Sequence, residues 1–272
     1  MPEPNPAARS PHSPDEPIVP GRRVLTALPV FNEARHVRDV LPEVLRYSDE
    51  VLVVNDGSTD GTLAALEEID GITVISHPVN FGYGAGLKTA FHTAIRGGYD
   101  ALVTIDCDGQ HQPRLIPELA AACVGAGQAV DVVSGSRYHP EASDESTPPP
   151  DRRAINFEIT ERLNELFDLG LTDAFCGFKA YSRRGLEALK HITEYGYAQP
   201  LQTWVHAVDA GLEIVESPVP LVYLEEERSF GGSLDDAARR RAYYHHVLTR
   251  EMADRGMITI DWANQSPAQR SA

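Results

Sequence analysis

The sequence predicts an α/β fold built on a mostly parallel central sheet flanked by helices. Three observations predict it. Short apolar runs alternate with helix-like stretches from residue 24 to residue 135, the pattern of repeated βαβ units. The 272-residue chain is 42% hydrophobic, enough for one sizeable core. Chemistry-bearing polar residues fall where the apolar runs stop, and parallel α/β sheets bind ligands at the carboxyl ends of their strands.

In order along the chain, strands are predicted at 24–30, 51–54, 72–76, 101–105 and 130–135. Helices are predicted between them at 33–46, 60–68, 85–96 and 113–124. The second half is less regular. Helices are expected at 153–168, 183–190 and 200–210, strands at 178–181, 213–216 and 219–224, and a charged helix over 234–252. Residues 1–21 hold seven prolines and little to bury, so a disordered tail is expected there. A single domain is expected over 22–233, then a C-terminal helix over 234–255 and a flexible tail over 256–272. The stretch 139–151, HPEASDESTPPPD, reads as a loop.

The net charge of −16 disfavours a nucleic-acid partner. A phosphorylated small ligand is still compatible, because a pocket of arginines can be basic inside an acidic protein. The three cysteines, Cys107, Cys123 and Cys176, form no CxxC pair, which fits a reducing compartment and argues against a disulfide framework or a zinc site. No signal peptide or membrane span is read. The expectation is therefore a cytoplasmic protein. The 234–252 helix, with Arg239, Arg240 and Arg241, suits either peripheral contact with the inner face of the membrane or packing on its own domain or a second subunit.

The acidic segment Asp106-Cys107-Asp108-Gly109-Gln110 follows the fourth strand. Two carboxylates at i and i+2 can turn toward one cation where Gly109 lets the chain bend. Mg²⁺ or Mn²⁺ would take them with Gln110 as a neutral third ligand and substrate phosphates beyond. An Asx-rich turn capping the next helix is the competing reading. Asp56, at the end of the second strand, could accept from a nucleobase or ribose, or simply sit in a capped turn. The glycine-rich 80–86 segment is not G-x-G-x-x-G, which rejects a dinucleotide fingerprint. Close backbone approach to a ligand is expected there, with Lys88 one turn on.

Seven segments in order, PVFNEA, VVNDGSTDGT, NFGYGAGLKTAF, DCDGQHQP, SGSRY, DAFCGFKAY and RSFGGS, together resemble glycosyltransferase family 2. The likeness is to its polyprenyl-phosphate branch, which includes the dolichol-phosphate mannosyltransferases. The resemblance implies a GT-A type fold, with a Rossmann-like sheet and a small C-terminal acceptor-side subregion. It implies a metal site at Asp106, Asp108 and Gln110. Donor contacts fall on Pro29, Phe31, Glu33, Val54 and Asp56, with Lys88 and Cys107 beside them. Arg137, Arg152 or Arg153, and Ser233 fall at an acceptor phosphate, and Arg228 at the donor diphosphate. The implied reaction is an inverting transfer of a hexose from a GDP-mannose or UDP-glucose type donor to a polyprenyl phosphate. For a hydroxyl acceptor, Asp173 would be the candidate base. The sequence departs from the family at Asn55, Asn156, Thr160, Gln202 and Leu234, mostly on the acceptor side. Two rivals follow: a same-fold enzyme with a soluble sugar or glycan acceptor, and a non-catalytic nucleotide-sugar-binding protein.

Overall fold

The computed structural model describes residues 17–125, 130–143, 146–222 and 232–258. Its sheet has the strands β1 (Val24–Val30), β2 (Glu50–Asn55), β3 (Ile72–Ser76), β4 (Ala101–Thr104), β5 (Val132–Ser136), β6 (Lys179–Ser182) and β7 (Ile214–Pro218). Their spatial order is β3-β2-β1-β4-β6-β5-β7. The first four strands pair in parallel, and β1, β2 and β4 are the continuous apolar runs expected of strands buried on both faces.

Helices α1 (Val37–Leu45), α2 (Thr62–Glu67) and α4 (Ile116–Val124) cover one face of the sheet. On the other lie α3 (Tyr83–Gly97), α5 (Pro150–Phe167), α6 (Arg183–Leu189), α7 (Gln199–Asp209) and α8 (Ala237–Asp254). Each face buries its own apolar cluster. Trp204 on α7 is wholly buried and donates its indole N–H to the Ala174 carbonyl at 2.9 Å, which pins the segment before β6 to the helical layer.

The sheet is mostly parallel, as expected, and β6 is the exception. It runs antiparallel between β4 and β5, with Lys179 opposite both Thr104 and Ser134. Four residues buried on every side, KAYS, carry no directional signal. The reversal matters to the site. It brings the start of β6, and the segment 172–178 before it, to the edge where β4 and β5 end. Of the expected strand at 219–224, residues 223 and 224 lie outside the described residues; Leu221 forms an isolated bridge, donating its N–H to the Ser143 carbonyl at 3.1 Å and accepting from Ser146 Oγ at 3.2 Å.

The charged C-terminal helix packs on its own chain. Tyr244, Val247, Leu248 and Met252 of α8 are buried in the core beneath α5 and α7. Among the described residues, no helix is long and apolar enough to cross a membrane.

Candidate functional site

A cavity of about 520 Å³ opens at the carboxyl edge of the sheet. The loops after β1 and β2 form one wall by interlocking. Asn32, held at a φ of 56°, donates its N–H to Ser58 Oγ at 3.0 Å, and its Oδ1 accepts the Thr59 N–H at 2.8 Å. Asp56 is almost fully buried. Its carboxylate accepts the N–H groups of Phe81 (3.0 Å) and Gly82 (2.7 Å) and lies 2.6 Å from His77 Nδ1. Asp56 therefore anchors the entry to α3 while still facing the cavity. Only glycine serves at position 82: its φ is 104°, and a Cβ would sit 2.4 Å from the Tyr195 carbonyl oxygen.

The acidic segment lies deeper. Gly109 takes the predicted bend with a φ of 74°, and Asp108 Oδ1 accepts the Gln110 N–H at 3.0 Å. Asp106 Oδ1 accepts the Tyr83 hydroxyl at 2.9 Å, and His111 Nε2 is 3.3 Å from its Oδ2. Burial, and then the neighbouring Asp106 charge, push the Tyr83 phenol well above its ordinary value, so it stays a donor. Gly177, in the segment carried in by β6, backs this carboxylate; a Cβ there would lie 2.3 Å from Asp106 Oδ2 and 2.7 Å from the Tyr83 hydroxyl. Gly177→Ala is expected to displace Asp106 and lower turnover by about 10²-fold, the scale of a roughly ångström misplacement. Steady-state kinetics beside a melting curve would check it, and unchanged turnover would remove Asp106 from the reacting centre.

Among the described residues, no three His, Cys, Asp or Glu side chains converge to hold a metal by themselves. That does not conflict with a hard cation, which needs only one or two carboxylates where substrate phosphates complete its shell. Asp106, Asp108 and Gln110 all line the cavity. His111 Nδ1 beside them is buried without a hydrogen-bond partner among the described residues. The donor set fits Mg²⁺ or Mn²⁺.

Basic side chains line the same cavity. Arg137, after β5, grips Asp173 with Nε at 2.7 Å and Nη2 at 3.0 Å. Asp173 also accepts from Asn156 Nδ2 (2.8 Å) and the Phe175 N–H (3.1 Å). Burial pushes its carboxyl up, but the Arg137 guanidinium, with Asn156 and Lys179, more than offsets this and holds it at about 2. A carboxylate so occupied by donors is poorly suited to the role of base expected of it for a hydroxyl acceptor. Arg152 lines the cavity, as do Ile155 and Asn156, one turn along α5. Arg240 also lines it, almost wholly buried, and was not singled out from sequence as a site residue.

Pro29, Phe31, Glu33, Asp56 and Cys107, where the resemblance puts donor contacts, all line the cavity. Three expected contacts stand elsewhere. The Val54 side chain is in the core. Lys88 is not among the residues lining the cavity, and its Nζ lies 5.3 Å from the centre of the Tyr195 ring. Arg153 is exposed over the Phe157 ring at 5.3 Å. Arg228 and the Ser233 side chain lie outside the described residues.

A mostly parallel sheet with strand-end carboxylates and arginines lining one cavity is the architecture of a GT-A glycosyltransferase. Residues 26–190 match the family described as glycosyl transferase family 2, and the chain belongs to that family. It is similar to polyprenol monophosphomannose synthase of Mycolicibacterium smegmatis, 31% identical over 220 residues that cover 77% of this chain and 80% of that protein. It is also similar to undecaprenyl-phosphate mannosyltransferase of Micrococcus luteus, 32% identical over 231 residues, covering 79% and 90%. Among solved structures it is similar in fold to glucosyl-3-phosphoglycerate synthase from Mycobacterium tuberculosis in complex with Mn²⁺, uridine diphosphate and glucosyl-3-phosphoglycerate. That likeness has a TM-score of 0.64 at 20% identity and covers 89% of this chain and 82% of the other.

Proposed function

We propose that this glycosyltransferase moves a hexose, with inversion, from a nucleotide-sugar of the GDP-mannose or UDP-glucose type to a polyprenyl phosphate. The observation that carries the reading is one cavity lined by both carboxylates and guanidinium groups. Asp106 and Asp108 line it, and so do Arg137, Arg152 and Arg240 with the apolar surfaces of Ile155, Phe175, Tyr197 and Tyr244. Guanidinium groups suit a phosphate, and the apolar surfaces suit the first units of a hydrocarbon chain attached to it. The relatives named for polyprenol and undecaprenyl phosphate acceptors lend this acceptor their weight.

Asp106, Asp108 and Gln110 would hold Mg²⁺ or Mn²⁺, which as a Lewis acid neutralises charge on a departing diphosphate. The loops bearing Pro29, Phe31, Glu33 and Asp56 bind the nucleoside. Arg228 belongs to the motif assigned to the diphosphate. The cavity arginines orient the acceptor so that a phosphate oxygen meets the anomeric carbon from the face opposite the leaving group. A phosphomonoester is largely dianionic near neutral pH, so its oxygen attacks without a base. Asp173 then positions Arg137 rather than moving a proton, and rate comes from orientation and leaving-group stabilisation.

The test is nucleoside diphosphate release from GDP-mannose and UDP-glucose, with and without a short polyprenyl phosphate. Release stimulated by the lipid phosphate and abolished by EDTA is expected. Metal-dependent release that phosphoglycerate stimulates and the lipid does not would transfer the proposal to a soluble acceptor.

A further inference from the structure

We propose that Arg240 binds the acceptor phosphate and that Asp151 is its resident counter-ion, which the incoming phosphomonoester displaces. The inference rests on the acceptor reading above and assigns a residue that no motif of the sequence marked.

The cavity arginines differ in what neutralises them. Arg137 is committed to Asp173, which is 0% exposed and fastened by Asn156 and by backbone N–H groups as well. That carboxylate has nowhere to go. Arg240 is equally hidden, with 3% of its side chain exposed, but its partner Asp151 is 47% exposed at a distance of 2.6 Å. Asp151 sits in the first turn of α5, where the helix N-terminus keeps a carboxylate ionised without any arginine. It can therefore swing into water at little loss. The guanidinium cannot follow it, because Nη1 donates to the Leu234 carbonyl at 2.8 Å.

The surroundings favour a phosphate as the replacement. Arg240 and Arg152 both act on Tyr244, one turn along α8, whose phenol burial pushes up to about 12. Both arginines line the cavity. A phosphomonoester brings close to two negative charges and three acceptor oxygens, against one charge from Asp151. Charge-assisted bonds from Arg240 to a phosphate dianion then outweigh its half-exposed pairing with Asp151.

The pair makes opposite predictions for its two members, which a purely structural clamp would not. Arg240→Gln is expected to raise the acceptor KM by about 10- to 100-fold, the range of lost charged hydrogen bonds, with the donor KM unmoved and Arg240→Lys recovering part of the loss. Asp151→Asn is expected to lower the acceptor KM about 2- to 5-fold, the scale of a released half-exposed ion pair.

The experiment measures direct binding and turnover of wild type and these variants, with geranyl phosphate as the lipid probe and phosphoglycerate as the soluble one. Asp151→Asn that weakens either acceptor, or leaves both unchanged, overturns the displacement. Should Arg240→Gln fail to fold, Asp151→Asn decides alone. If wild type glycosylates geranyl phosphate and the variants do not shift its KM, this inference falls and the proposed function stands. If phosphoglycerate alone binds, with the predicted opposite shifts, the displacement stands and the lipid acceptor falls. If neither phosphomonoester binds, both fall.

Discussion

Asp106→Asn is expected to lower turnover by about 10³-fold, the scale of removing a principal electrostatic stabiliser from a reacting centre, while the fold survives. The asparagine keeps an oxygen for the Tyr83 hydroxyl, which now binds Oδ1 at 2.9 Å. What it loses is the negative charge at the mouth of β4 and the acceptor for His111 Nε2. Folding stability should change by about 1 kcal/mol, the worth of one ordinary hydrogen bond. Asp56→Asn is the instructive contrast. Asp56 holds two backbone N–H groups and His77, more than one amide oxygen can serve in the same geometry. Its substitution should therefore disturb the entry to α3 and lower the melting temperature as well as the donor affinity. Nucleoside diphosphate release at saturating donor, over a Mg²⁺ titration and beside thermal unfolding, separates the two. Wild-type turnover in Asp106→Asn would mean that this carboxylate is not where the sugar leaves.

Much of this architecture was legible in the sequence because it repeats a local rule. The strands β1, β2 and β4 are continuous apolar runs, and Asn32, Asp56, Asp106 and Arg137 stand just past the ends of strands. The direction of β6 was not legible, because a short strand buried on all sides looks the same read either way. Helical phase explains the misplaced side chains. Arg152, Ile155 and Asn156 line the cavity at i, i+3 and i+4, whereas Arg153 and Phe157 share the outer face one step round. Lys88 lies two residues beyond the cavity-lining Gly86, about 200° around α3, and so falls outside the lining. Arg240 was hidden among three consecutive arginines. Its phase was nonetheless written into α8, where Arg240, Tyr244, Val247, Leu248 and Glu251 are all buried at helical spacing. Partners distant in the chain, such as Asp173 for Arg137 and Asp151 for Arg240, depend on the fold and carry no local signal.

Asp173→Asn is expected to destabilise the protein by about 3–5 kcal/mol, the usual result of stripping one partner from a buried ion pair. The neutral amide would leave the Arg137 guanidinium, 14% exposed, without its counter-charge. It would also turn an NH₂ toward donors that now point at carboxylate oxygens. The pH dependence gives an independent reading. Burial raises the Asp173 carboxyl and Arg137 lowers it further, so its folded value is about 2 against an ordinary 3.8. A depressed carboxylate contributes stability that is fully present above the ordinary value and is lost as pH falls through the folded one. Wild type should therefore lose about 2 kcal/mol between roughly pH 4 and pH 2 from this group, and Asp173→Asn should lack that component. Because Asp173 orients Arg137, the variant should also weaken the acceptor more than the donor, whatever remains of its fold at neutral pH. Denaturant melts across that window, with acceptor and donor KM values measured on the folded fraction, test both consequences. A variant as stable as wild type at pH 7, with the same acid limb, would show that the pair contributes nothing to the fold and that Arg137 is oriented by other contacts.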